Sequence, residues 1–105
     1  MHLTSYLQDG TLTVALTGEI DHHCAKSYIQ SITAKIEAYS PQICVLDFQE
    51  VTFTDSSGIA VVINALRNMS KIGGTLSLSG LNQQPMKVFR ASGIDKLVSI
   101  KEVAK

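Results

Sequence analysis

Val51-Thr52-Phe53-Thr54-Asp55-Ser56-Ser57-Gly58-Ile59-Ala60-Val61-Val62-Ile63-Asn64-Ala65-Leu66 decides how this chain folds. Its first four residues are β-rich. From Ile59 the apolar period changes: Ile59, Val62, Ile63, Leu66 and Met69 recur at steps of three and four, which predicts one buried helix face. Between the two periods stand four small polar residues, Asp55-Ser56-Ser57-Gly58. A helix that opens there has orphan backbone N–H groups, and the Asp55 carboxylate is suited to cap them. Ser56 then sits near the first helical position, beside those donors. Ala60, Val61 and Asn64 fall off the apolar stripe and are expected to face outward, next to the serines. The helix should stop at Gly73-Gly74, a pair suited to a C-terminal cap.

Upstream, Ile43-Cys44-Val45-Leu46-Asp47-Phe48 is short and apolar, and predicts a central strand buried on both faces. Asp47 at its end reads as structural. Before it, Asp21 is placed to cap a helix whose stripe is Ala25, Ile29, Ile32, Ile36 and Tyr39, ending near Ser40 ahead of Pro41. Earlier still, Leu3–Leu7 and the alternating run Thr11–Leu16 flank Asp9-Gly10, a strong hairpin signal because glycine accepts positive φ. Downstream come a strand at Thr75–Ser79 and a helix with Pro85 in its first turn that ends at Gly93. A short strand over Leu97–Ile100 follows. Phe48, Phe53 and Phe89 read as core. The order is β-β-α-β-α-β-α-β: an α/β fold with a mixed sheet of four to five strands and helices largely on one face.

The 105 residues hold one core, so residues 1–105 are expected to form a single domain. Nine basic and nine acidic side chains cancel, and there is no tryptophan. Such a surface has no electrostatic reason to take nucleic acid or anionic lipid as a direct partner. The N-terminus lacks the pattern of a secretory signal, and no stretch approaches the roughly 18 apolar residues of a membrane span. A cytoplasmic protein is expected, with Cys24 and Cys44 as reduced, partly buried thiols.

No GxSxG elbow, phosphate loop, HExxH or dinucleotide fingerprint is present, so neither an enzyme nor a cofactor is expected. Ser56 with His22 or His23 lacks the ordered third member and oxyanion hole of a nucleophilic site. His22, His23 and Cys24 do not make a metal site either: adjacent histidines cannot easily reach one ion, and a fourth ligand is lacking.

Gly18-Glu19-Ile20-Asp21-His22-His23, Phe53-Thr54-Asp55-Ser56-Ser57-Gly58-Ile59, Gly73-Gly74 and Phe89-Arg90-Ala91-Ser92-Gly93 together resemble the STAS family, over about Leu3 to Ile100. Within it the His-His pair is most similar to the anti-sigma-factor antagonists of the bacterial sporulation type. The resemblance implies that the unphosphorylated protein binds an anti-sigma factor with serine kinase activity and frees its sigma factor. It also implies that phosphorylation of Ser56 ends this binding, with Ser57 as the fallback site, and that a serine phosphatase resets the switch. Asp21, Asp55, Ser56, Ser57, Gly58, Ala60, Val61 and Asn64 are the expected contact residues. Gly58 either lets a partner backbone approach or relieves crowding in the turn; Asp21 is an N-cap that either does or does not also touch the partner. Other non-catalytic STAS roles are the alternatives: a general stress-response antagonist, or the cytoplasmic subunit of a lipid transporter. Two features depart from the family. Gly58-Ile59-Ala60 replaces a more usual Gly-Leu-Gly, and the stretch after Ile100 is shorter than the family's C-terminal helix.

Overall fold

Asp9 and Gly10 both take positive φ, 52° and 78°, the backbone of a two-residue turn whose twist matches its flanking strands. They join β1 (His2–Gln8) to β2 (Thr11–Ile20) in an antiparallel pair that runs from Gln8↔Thr11 to His2↔Thr17. The structure, a computed structural model, describes residues 2–101. After the hairpin come α1 (His22–Tyr39), β3 (Ile43–Thr54), α2 (Ser57–Lys71), β4 (Thr75–Ser79), α3 (Gln83–Ser92), a 3-10 turn (Ile94–Lys96) and β5 (Ser99–Lys101). The sheet order is β1-β2-β3-β4-β5, with β2 through β5 parallel. Each crossover in this order is right-handed by default, which lays successive helices on the same side of the sheet.

Register shows which side that is. Leu12, Cys44 and Leu76 are aligned across β2, β3 and β4; so are Val14, Leu46 and Leu78, with Ile100 beyond. These rows form the buried face. Against them pack Ala25, Tyr28, Ile32 and Ile36 of α1, and Val61, Val62, Ala65 and Met69 of α2. Phe89 of α3 meets Phe48 edge-to-face at 5.4 Å. Among the described residues, no helix is long and apolar enough to cross a membrane.

The expected elements are present, but several faces differ. β3 is central, yet only one of its faces is fully covered: Ile43 is 39% exposed, and Val45 and Asp47 are half-buried. With the helices on one side, the opposite face has no layer to bury it. Tyr39, expected on the α1 stripe, is 52% exposed, and Tyr28 takes the buried place. Tyr39 belongs to the last turn, and its stripe has run past the sheet. Phe53 is 40% exposed, whereas Phe48 and Phe89 are core as expected. Beyond Phe48 the buried positions of β3 are Val51 and Thr54, three apart, so strict alternation fails there and Phe53 turns outward. The shorter stretch expected after Ile100 reaches into residues 102–105, which lie outside the described residues.

The α2 stripe is rotated by about one residue from its expected position. Gly58, Val61, Val62, Ala65 and Met69 are buried, while Ile59, Ile63 and Leu66 are half-buried on the flank. A helix this apolar has two possible seams. The sheet takes one, and α1 lies along the other.

Candidate functional site

The two turns that carry the candidate residues meet at one end of the sheet. β2 and β3 are paired as far as Ile20↔Thr54, past two irregularities in register. Asp21 and Asp55 follow directly, and the Asp55 N–H donates to Ile20 C=O at 3.2 Å. Both helix starts thus sit beyond the carboxyl ends of adjacent parallel strands, where open α/β sheets present their sites.

Asp21 caps α1 as expected. Its Oδ1 accepts from the backbone N–H groups of His23 at 3.0 Å and Cys24 at 3.1 Å, and the Cys24 thiol accepts from the Asp21 N–H at 3.3 Å. Cysteine thereby fills the reciprocal half of a capping box that usually takes Glu or Gln. Hydrogen bonding from the Cys24 side chain, then from its backbone N–H, holds the Asp21 carboxyl below its ordinary value. Desolvation, with the carboxylate nearby, pushes the Cys24 thiol up; burial alone pushes Cys44 up to about 12. Cys24 is half-buried and Cys44 fully buried, so neither is an activated thiol.

At α2 the capping is shared. Ser56 occupies the N-cap position without a side-chain bond, while Asp55 Oδ1 accepts from the Ser57 N–H at 2.7 Å. The Gly58 N–H donates to Asp55 C=O and the Ile59 N–H to Ser56 C=O, each at 3.1 Å. The first-turn donors expected beside Ser56 are therefore largely engaged by the protein itself. Ser56 is exposed and Ser57 half-buried.

Gly58 is buried, and a Cβ there would overlap Thr54 Oγ1. Relief of crowding, one of the two readings open from sequence, explains it. Val61 corrects a second expectation: at 1% exposure it faces the sheet and presents nothing outward. Ala60 is exposed and Asn64 half-buried. Together with Ser56, Ile59 and Ile63 of α2 and Ile29 of α1, they line an open groove of about 420 Å³ that starts at the exposed serine.

Residues with no marked signal in the sequence hold this end in place. The Gln84 side chain pairs with both main-chain groups of Thr54, accepting from its N–H and donating to its C=O, each at 2.9 Å. Asn82 Nδ2 donates to Val51 C=O at 2.8 Å and Gln49 C=O at 3.1 Å. The start of α3 thus clamps the last turn of β3, from which Asp55 and Ser56 project. Asn82 and Gln84 lie 30 or more residues from their partners, so no local pattern reveals the clamp. Among the described residues no group of three or more His, Cys, Asp or Glu side chains converges as a metal site would.

The chain belongs to the STAS domain family, whose model matches residues 2–104. Over 91 residues it is 28% identical to the anti-sigma F factor antagonist of Paenibacillus polymyxa, covering 87% of this chain and 78% of that protein. It is 26% identical over 93 residues to the anti-sigma-B factor antagonist of Bacillus subtilis, covering 88% and 83%. The fold matches that of the anti-sigma factor antagonist SpoIIAA in its unphosphorylated form with a TM-score of 0.85, at 23% identity over 99% of this chain and 90% of the other.

Proposed function

We propose that this protein is an anti-sigma factor antagonist that switches by phosphorylation of Ser56. Its unphosphorylated form binds a serine-kinase anti-sigma factor and releases the bound sigma factor; phosphorylation ends the contact, and a serine phosphatase restores it. The observation that carries this reading is the different placement of the two adjacent serines. Ser56 is exposed at the groove mouth with no side-chain cap bond, whereas Ser57 is half-buried with its N–H held by Asp55. A kinase acting on this turn reaches Ser56 first. The similarity to anti-sigma F and anti-sigma-B factor antagonists supplies the partner class.

A phosphate on Ser56 adds about −1.5 to −2 charges beside Asp55 and across the turn from Asp21. The helix dipole favours it by about 0.3–1 kcal/mol. The nearest main-chain donors, however, already have partners, so little pulls the backbone into a new arrangement. A partner closing over this end must instead desolvate the new charge, at several kcal/mol. Phosphorylation then acts at the contact surface and leaves the fold in place.

Calorimetry with the serine-kinase anti-sigma factor tests this. Ser56→Ala should bind as wild type and resist phosphorylation, while Ser56→Asp should bind weakly. Equal affinity of the two variants would refute the electrostatic switch. After incubation with the kinase and ATP, mass spectrometry should find the phosphate on Ser56; phosphate on Ser57 alone would move the switch by one residue.

A further inference from the structure

Thr33 of α1 and Asn64 and Asn68 of α2 close a triangle of hydrogen bonds across the seam between the helices. The Thr33 hydroxyl donates to Asn64 Oδ1 at 3.1 Å. Asn68 Nδ2 donates to Thr33 Oγ1 at 2.9 Å and to Asn64 Oδ1 at 3.1 Å. These directions depend on one another. Thr33 has one hydroxyl proton, which goes to Asn64, so Thr33 must accept from Asn68. Asn68 therefore presents its NH₂ edge and Asn64 its carbonyl edge. Flipping the Asn64 amide by itself would set donors against donors; only a concerted reversal of both amides and the hydroxyl would satisfy the triangle the other way. With Oδ1 accepting twice, Asn64 Nδ2 is directed away from the triangle, and it donates to nothing among the described residues.

Asn64 lines the groove that begins at Ser56, and Arg67, one turn further along the same face of α2, lines it too. Arg67 is exposed and forms no ion pair among the described residues. The groove thus has an exposed serine at one end, an apolar middle of Ile29, Ile59 and Ile63, and two unengaged donors at the other. From Ser56 to Arg67 is 11 positions, about 16 Å along the helix. An amide N–H beside a guanidinium is complementary to a carboxylate, which can accept from both in one plane.

We infer that a segment of the anti-sigma partner lies along this groove, with an apolar residue over Ile59 and Ile63 and an aspartate or glutamate held by Arg67 and Asn64. Thr33 and Asn68 are positioning residues that fix the Asn64 amide as a donor. This rests on the function proposed above, and it adds a second recognition point that does not involve the phosphorylated serine.

The test is calorimetry of the full chain with the serine-kinase anti-sigma factor at two salt concentrations, with thermal unfolding as a control. Arg67→Glu and Asn64→Asp each place a carboxylate where the partner's would sit, and each should weaken binding by more than about tenfold while the unfolding midpoint barely moves. Added salt should narrow the gap between wild type and Arg67→Glu. Thr33→Val, which keeps the shape but loses the hydroxyl, should weaken binding severalfold; Thr33→Ser, which keeps the hydroxyl, should restore it. Wild-type affinity in Arg67→Glu or Asn64→Asp, with Ser56→Asp still impaired, would overturn this inference and leave the switch standing. Equal loss in Thr33→Ser and Thr33→Val would overturn the positioning role. No binding by the wild-type chain would overturn both readings.

Discussion

Replacing Gly58 by alanine should destabilise the protein far more than the helix propensity of the two residues implies. On propensity alone Gly→Ala inside a helix gains up to about 1 kcal/mol. Here the added Cβ would overlap Thr54 Oγ1 and lie 3.2 Å from Thr54 Cβ. Thr54 is fully buried and cannot step aside: its N–H and C=O are held by Gln84, and its hydroxyl donates to Asp55 C=O at 3.0 Å. Turning the side chain would orphan a buried hydroxyl, at about 1–3 kcal/mol. Leaving it in place costs an overpacking strain of about 1–3 kcal/mol. The chain takes the cheaper of the two, and after the propensity gain the net loss is about 1–2 kcal/mol, a fall in the unfolding midpoint of about 4 °C or more for a domain of this size. Thermal unfolding by circular dichroism reads it directly. The double variant Thr54→Ala/Gly58→Ala removes the clashing atoms, so the cycle should show a favourable coupling of at least about 1 kcal/mol. It should also bind the anti-sigma factor as well as Thr54→Ala alone. An unchanged midpoint in Gly58→Ala together with lost binding would refute the packing account, and would mean that a partner's backbone needs the space.

The clamp at the start of α3 makes its own prediction. Gln84→Leu leaves the buried N–H and C=O of Thr54 without partners, which should cost about 2 kcal/mol and remove hydrogen-exchange protection at the Thr54 amide; unchanged protection would show that Gln84 does not hold the turn. At α1, Asp21→Ala should lower the unfolding midpoint near neutral pH, because the His23 and Cys24 N–H groups lose their acceptor. Because the Asp21 carboxyl lies below its ordinary value in the folded chain, its contribution is present above the unfolded value and is lost as pH falls through the folded one. Wild type and Asp21→Ala should therefore converge in stability on acidification below about pH 4; a gap that persists there would mean that the cap does not depend on the charge.

What the sequence determined by itself is local. Asp9-Gly10 sets a turn because two successive positive φ angles suit few residue pairs, and Asp21 and Asp55 start helices because a nearby carboxylate satisfies orphan N–H groups. Gly73 and Gly93 end helices in the left-handed region, at φ 73° and 85°. From such signals the order of elements and the Asp-Ser-Ser-Gly turn could be read, and with them the family. Periodicity shows that a helix or strand has a buried face; it does not show which neighbours cover it. Tyr39, Phe53 and Val61 were misplaced for this reason, since α1 outruns the sheet, alternation fails late in β3, and α2 divides its apolar surface between the sheet and α1. The distinction between Ser56 and Ser57 is likewise tertiary, because identical side chains one residue apart differ only in what surrounds them. The Gln84 clamp and the Thr33–Asn64–Asn68 triangle join residues 30 or more positions apart. Hydrogen bonds at such separations exist only once the chain has packed, and packing decided which polar groups hold the serine's turn.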